Sequence, residues 1–364
     1  TGIFPAGILV TEGCRGDGGL LRDASGHRFM PDYEPEKKEL ASRDVVSRRM
    51  EEHIRKGNAA KSRFGEHLWL DITLLGRKHI EHNLREVKEI CQYFLGVDPA
   101  DQWIPVRPAQ HYTMGGVRTD HTGQTPALRG LFAAGEAACW DMHGFNRLGG
   151  NSVAETVVAG MIVGEFIADF VESPEGEIDI PTAVLREALA AERGKLDVLL
   201  KGSGSEQADT LKAEMQQTMT DNVGIFRTGA DLQRAVDKLQ ELLVRSRNIG
   251  LRSRRDGPNP ELVTAYRVQK MIKIALCIAQ GALVRTESRG AHFREDYPRR
   301  NDAEWLKRTL ATWKSEGDDL PTLAYEPIDV ARMELPPGWR GYGAKDYVDH
   351  TDTPGRAEAV GTLR

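Results

Sequence analysis

A short acidic run, Glu172 to Pro181 (ESPEGEIDIP), constrains the architecture of this chain more than any other stretch. It packs two prolines, one glycine and four carboxylates into ten residues, so it reads as a linker between folded parts. The texture differs on its two sides. Before it, glycines punctuate short apolar runs. Gly2 to Thr11 reads as one strand that empties into a glycine-dense turn, Gly13 to Gly19. Asp44 to Arg55 is helix-compatible, Leu68 to Ile72 reads as a strand, and Arg77 to Leu95 as one helix. After it, apolar residues recur with the 3.6-residue period: Leu232, Ala235, Val236, Leu239, Leu242 and Leu243, then Leu262, Ala265, Val268, Ile272, Leu276 and Ala279. Leu211, Met215 and Met219 step by four. These stripes predict three or four antiparallel helices in a small bundle, with the Met and Leu residues as its core. From about residue 301 the tail, which includes Pro336-Pro337-Gly338, reads as partly extended.

Composition excludes several classes. With 49 Lys and Arg against 54 Asp and Glu in 364 residues, the net charge is −5, so a basic nucleic-acid surface is not expected. No apolar stretch reaches 18 residues. The best candidate, Val157 to Gly164, is followed by Glu165 and Asp169 and reads as a buried helix, not a span. The four cysteines, at 14, 91, 139 and 277, have the spacing of neither a disulfide framework nor a zinc site. His79 and His82 lack the HExxH pattern and read as a solvated helix face, so no metal site is expected.

Five short constellations carry candidate chemistry. In Thr11-Glu12-Gly13-Cys14-Arg15, a hydroxyl, an acid and a guanidinium share one turn; a loop salt bridge is the plain alternative. Ser42-Arg43-Asp44 places an N-cap candidate before an arginine in a first helical turn, where a cation opposes the helix dipole and hints at an anionic partner. In His111-Tyr112-Thr113-Met114-Gly115-Gly116, the paired glycines suggest close backbone approach to something flat or bulky. Gly130 to Glu136 (GLFAAGE) reads as a strand ending in a carboxylate suited to sugar-like hydroxyls, or simply as a buried strand and turn. Arg147-Leu148-Gly149-Gly150-Asn151-Ser152 delivers the chain into a helix, and Ser152 with Glu155 spells a capping box. The free amides of Ser152 and Val153 suit a phosphate or a charged flavin edge. Together, Arg15, Arg43 and Arg147 with His111 and Thr11 suit a small dicarboxylate beside a flavin, because guanidinium captures carboxylate in a planar, bidentate way.

The strings TGIFPAGILVTEGCRGDGG, LASRDVVSR, IPVRPAQHYTMGG, GLFAAGE, HGFNRLGGNSVAE and ESRGAHFREDYPRRND occur in this order along nearly the whole chain. They resemble the flavoprotein subunit of the succinate dehydrogenase and quinol:fumarate reductase family. The Trp140 to Phe145 stretch is most similar to reductases with a diheme cytochrome b anchor. The resemblance implies an α+β fold: the back of a capping domain (1–106), part of a Rossmann-like FAD-binding domain (107–172), the linker (173–181), a helical bundle domain (182–300) and a small C-terminal domain (301–364). It implies that Thr11, His111 and Arg147 hold the dicarboxylate. Arg43 would transfer the proton, relayed through Glu12 and Arg15. Glu136 would contact the flavin ribityl chain, and Ser152 and Val153 the N1–C2 edge. FAD, an iron–sulfur subunit, a membrane-anchor cytochrome b subunit carrying haem b, and menaquinol follow as expected cofactors and partners. The expected location is peripheral, on the cytoplasmic face of the inner membrane. The resemblance also implies a further substrate His just ahead of Thr1-Gly2, a glycine-rich phosphate loop, and the His that attaches FAD, none of which is in these residues. The 364 residues alone are therefore expected to bind FAD poorly. Ser42 stands where many relatives have Pro. The alternatives are a succinate dehydrogenase running the reaction in reverse, an L-aspartate oxidase (which usually has Cys where Met114 stands), and a truncated chain that only binds partner subunits. Arg285, Arg289, His292 and Arg294 read either as a subunit or domain contact or as a solvated polar face.

Overall fold

The computed structural model describes residues 1–144, 147–176, 180–254 and 257–328. Asn146 of the helix-entry motif, part of the linker, and the Pro336-Pro337-Gly338 tail lie outside the described residues. The chain divides into two compact units that meet between Asp169 and Phe170.

The first unit is built on an antiparallel sheet. Its strands are β1 (Gly2–Ile3), β2 (Ile8–Leu9), β3 (Leu20–Arg22), β4 (Ala60–Ser62), β5 (Gly65–Asp71) and β6 (Ile104–Arg107). The order is β2-β1-β6-β5-β3, with β4 also on β5. The expected single strand at Gly2 to Thr11 is instead a hairpin, pairing Ile3 with Ile8. Pro5 and Gly7, the latter at φ 73°, force the reversal. Between strands lie α1 (Gly13–Gly16), α2 (Met30–Tyr33), α3 (Arg43–Arg55), α4 (Arg77–Asn83) and α5 (Arg85–Leu95). The expected single helix at Arg77 to Leu95 is broken at Leu84, whose φ of −123° leaves the helical range. Ile3, Leu21, Leu68, Leu70, Ile104 and Val106 of the sheet share one core with Val45, Val46, Met50 and Ile54 of α3. The far end of α3 is pinned by buried His53. Its ring stacks on Phe29 at 4.3 Å and reaches Tyr33 Oη (3.0 Å) and Asp23 Oδ2 (3.3 Å).

Residues from about 110 make short elements: β7 (Val117–Arg118) parallel to β8 (Ala138–Cys139), then α6 (Asn151–Glu172). The expected GLFAAGE strand is reduced to a bridge at Phe132 and a 3-10 turn over Gly135–Ala137. Gly135 at φ 69° ends the extended path. Helix α6 buries Glu155, Ala159 and Val163, whereas Val153, Val157, Val158 and Met161 are more than half exposed. The expectation of a buried helix thus holds for one side only. That side packs on the turn at Gly123, where a Cβ would come within 2.3 Å of Val163.

The second unit holds α7 (Thr182–Lys201), α8 (Ala208–Asn222), α9 (Gly229–Arg245) and α10 (Pro260–Val284). Helix α10 packs against the other three. The predicted stripe Leu232, Ala235, Val236, Leu239, Leu242 and Leu243 is buried, as are Leu211 and Met215. Thr228 caps α9 and Asn259 caps α10, which starts at Pro260. Beyond it, α11 (Asp302–Trp305) leads into the antiparallel pair β9 (Lys307–Thr312) and β10 (Thr322–Pro327). Arg285, Arg289, His292 and Arg294 are largely enclosed rather than a solvated face, and Arg285 and Arg289 join the stretch before residue 300 to Asp302, Trp305 and Lys307 after it. They bond to Glu287, Asp302, Arg227 and Asp296 within this unit, because the chain folds back beside the end of α10.

Candidate active site

All nine candidate residues lie in the first unit. Glu12 sits just before α1 and Arg43 is the first residue of α3. Their side chains meet in a bidentate pair: Arg43 Nε donates to Glu12 Oε2 at 2.7 Å and Nη2 to Oε1 at 2.8 Å. The hydrogen bonds from Arg43 hold the Glu12 carboxyl below the usual range, and Glu12 in turn raises Arg43. This carboxylate offsets the cation at the helix start. Ser42 occupies the N-cap position, but its hydroxyl donates to Asp44 Oδ1 (2.7 Å) instead of capping the backbone. Thr11 Oγ1 accepts from the Gly13 amide at 3.2 Å. Arg15 is buried and donates to the Glu39 carbonyl oxygen. It makes no hydrogen bond to Glu12 and feels it only through charge. Burial holds its guanidinium below the ordinary value.

Arg147 is only 4% exposed. Its Nη1 donates to the Leu148 carbonyl (2.8 Å) and its Nη2 to His111 Nε2 (2.8 Å). Its Nε has no acceptor among the described residues. The guanidinium lies over the Tyr112 ring, 4.8 Å from the centroid. Burial, then the charge of Arg43, lower the Arg147 pKa. Burial and the charges of Arg43 and Arg147 also push His111 down, in keeping with its role as acceptor.

Glu136 Oε1 accepts from the Thr113 amide at 2.8 Å, tying the 3-10 turn to the HYTMGG segment. Ser152 and Val153 lie in the first turn of α6. The expected capping box does not form. The helix begins one residue earlier, at Asn151, and buried Glu155 accepts from Trp140 Nε1 (3.3 Å). Ser152 therefore stands inside the helix rather than at its N-cap.

A cleft of about 320 Å³ opens between Tyr112–Gly115 and Cys139–Gly144. Glu155 Oε2 and His143 Nε2, which have no partner among the described residues, both belong to its lining residues. Gly115 and Gly116 adopt φ of 109° and 138°, which keeps side chains out of the approach. Orphaned polar atoms, a side-chain-free backbone and the α6 N-terminus together fit a large polar cofactor such as FAD.

Three contributors were not singled out by the sequence argument. A Cβ on Gly149 would lie 1.9 Å from Glu12 Oε1, so only glycine lets this loop meet the Arg43–Glu12 pair. Tyr112 carries the Arg147 guanidinium, and Trp140 occupies Glu155. The glycine doublet and the aromatic beside His111 were the available signals.

Residues 1–153 match the FAD binding domain family model, and residues 212–342 match the fumarate reductase flavoprotein C-terminal model. A fumarate reductase flavoprotein subunit from Helicobacter pylori is 51% identical over 392 residues, covering 100% of this chain and 54% of that protein. A Rickettsia bellii succinate dehydrogenase flavoprotein subunit is 36% identical over 358 residues, covering 94% of this chain and 59% of that protein. Among solved structures, the FrdA subunit of an Escherichia coli quinol fumarate reductase variant superposes with a TM-score of 0.87 at 35% identity. That match covers 95% of this chain and 60% of the other. The chain thus spans about half the length of the curated relatives it matches. By sequence and fold together, it belongs to the fumarate reductase and succinate dehydrogenase flavoprotein family.

Proposed function

We propose that this chain supplies the dicarboxylate and proton-transfer groups of an FAD-dependent fumarate reductase, in a quinol-linked complex. The observation that carries the reading is Arg147: a buried guanidinium, bonded to a neutral histidine and a carbonyl, with no carboxylate partner among the described residues. A buried cation without a counter-ion is unfavourable, and a substrate carboxylate supplies one.

In this reading Arg147 clamps one carboxylate, and Thr11 and His111 hold the other. Their grip twists it out of the alkene plane and makes the double bond more electrophilic. Once reduced by the quinol-derived electrons, a flavin bound here would supply the hydride to one alkene carbon. Arg43 protonates the neighbouring carbon and is reprotonated through Glu12, with Arg15 as the next cation. A guanidinium normally keeps its proton, so release must be concerted with reprotonation. The bidentate contact with Glu12 provides the path. Glu136 would hold the ribityl chain, and the Ser152 and Val153 amides the charged N1–C2 edge.

Electrons would arrive from menaquinol through a haem-bearing cytochrome b anchor and an iron–sulfur subunit. No helix among the described residues is long and apolar enough to cross a membrane. The proposed location is peripheral, on the cytoplasmic face, held by those subunits; the likeness to quinol fumarate reductase subunits supports the membrane association. The Rickettsia relative supports the reverse reading, succinate oxidation, with the same residues acting in the opposite order. The test is dye-linked fumarate reduction and succinate oxidation by the full-length flavoprotein in its complex. Turnover in both directions is expected, faster toward succinate. Absence of both rejects the assignment.

A further inference from the structure

Tyr112 is held from two sides. Its ring lies against the Arg147 guanidinium at 4.8 Å. The His143 ring meets it edge-on, with centroids 6.1 Å apart and planes at 90°. Its chain neighbour is His111, which holds the other side of Arg147. Arg147 therefore rests between a neutral imidazole and an aromatic face, with no ion pair among the described residues.

We propose that Tyr112 is a positioning residue: its ring sets the Arg147 guanidinium for the dicarboxylate. The inference rests on the dicarboxylate reading of Arg147 given above. The π face attracts a desolvated cation and fixes the plane in which it presents its donors. A residue that merely filled space would show no dependence on that face.

The experiment measures the Kd of malonate, a nonreacting dicarboxylate, from flavin absorbance changes in the full-length complex, together with KM and kcat for fumarate. Tyr112→Leu is expected to raise the malonate Kd and the fumarate KM about tenfold, with kcat changed less than threefold. Tyr112→Phe keeps the face and is expected to hold the Kd within about twofold. In an Arg147→Lys background, adding Tyr112→Leu should weaken malonate by less than about threefold, because the planar partner is gone. If Tyr112→Leu fails to load FAD, Tyr112→Met, which fills the space without a face, is read in its place. A wild-type Kd in the Leu or Met variant overturns the proposal, as does equal weakening in Phe and Leu. Failure of the wild-type complex to bind malonate overturns the dicarboxylate reading itself, and this inference with it.

Discussion

Two arginine clusters, one in each unit, are built from the same residue type to opposite balance. In the second unit, Glu287 is fully buried and accepts from Arg285 Nη1 (2.6 Å), Arg289 Nε (2.7 Å) and the Asn301 amide (2.8 Å). Asp302 accepts from Arg289 and Arg300. Arg294 spans Asp296 and the carbonyls that end α10. Even His292 is kept uncharged there, pushed down to about 3 by burial and the nearby charge of Arg227. In the first unit, Glu12 serves Arg43 alone. Arg15 has a backbone carbonyl, since the Glu39 carboxylate is taken by Arg28. Arg147 has no acid. Internal neutralisation makes a clamp that holds a chain segment in place. A deficit of acid makes a receptor for acid from outside. Residue type alone does not separate the two; the carboxylate count within hydrogen-bond reach does.

This contrast can be broken at several points. The largest effect is expected from Glu287→Ala, which leaves Arg285 with backbone carbonyls in place of its acid and Arg289 with Asp302 alone. It should cost about 3–5 kcal/mol in urea unfolding of the full-length flavoprotein. A loss under about 1 kcal/mol would show that the second cluster is not held by its acids. Next comes Arg43→Lys, which keeps the charge but loses the fork onto Glu12. Turnover should drop at least about 100-fold, or about 2.7 kcal/mol of barrier, with FAD and malonate still bound. A variant retaining a tenth of wild-type turnover would remove Arg43 from the proton path. A smaller effect is expected from Gly149→Ala, whose Cβ would displace Glu12. About a tenfold fall in kcat with little change in KM is expected in steady-state assays. An unchanged kcat would mean that the Arg43–Glu12 contact is not needed in turnover.

Much of this was legible in one dimension. The stripe from Leu232 to Leu243 announced its buried face because 3.6-residue periodicity is a local property. Glu12, His111 and Arg147 stood out as polar groups beside glycine turns, and Arg43 as a cation opposing the dipole of a first helical turn. What escaped depended on contacts between distant segments. Gly149 is a generic turn glycine until Glu12 is folded against it. Ser152 and Glu155 spell a cap, yet the helix starts at Asn151 and Glu155 accepts from Trp140. Gly2 to Thr11 is apolar enough for one strand, but Pro5 and Gly7 turn it back on itself. Val157 and Met161 read as part of a buried helix by hydrophobicity, which does not say whether the covering surface lies in the same residues.

Helix α3 also has a mechanical consequence. Its 13 residues make a rod about 20 Å long, with Arg43 at one tip and the His53 anchor two residues from the other. The rod is seated at both ends: Val45 and Val46, beside Arg43, are buried in the sheet core, and His53 anchors the other end. Roughly 4° of tilt about the His53 end would carry Arg43, about 15 Å away, by about 1 Å. Misplacement on that scale can cost a reacting group about 100-fold in rate. Buried packing at both ends, contributed by residues with no part in the proposed chemistry, thus bears on the aim proposed for Arg43.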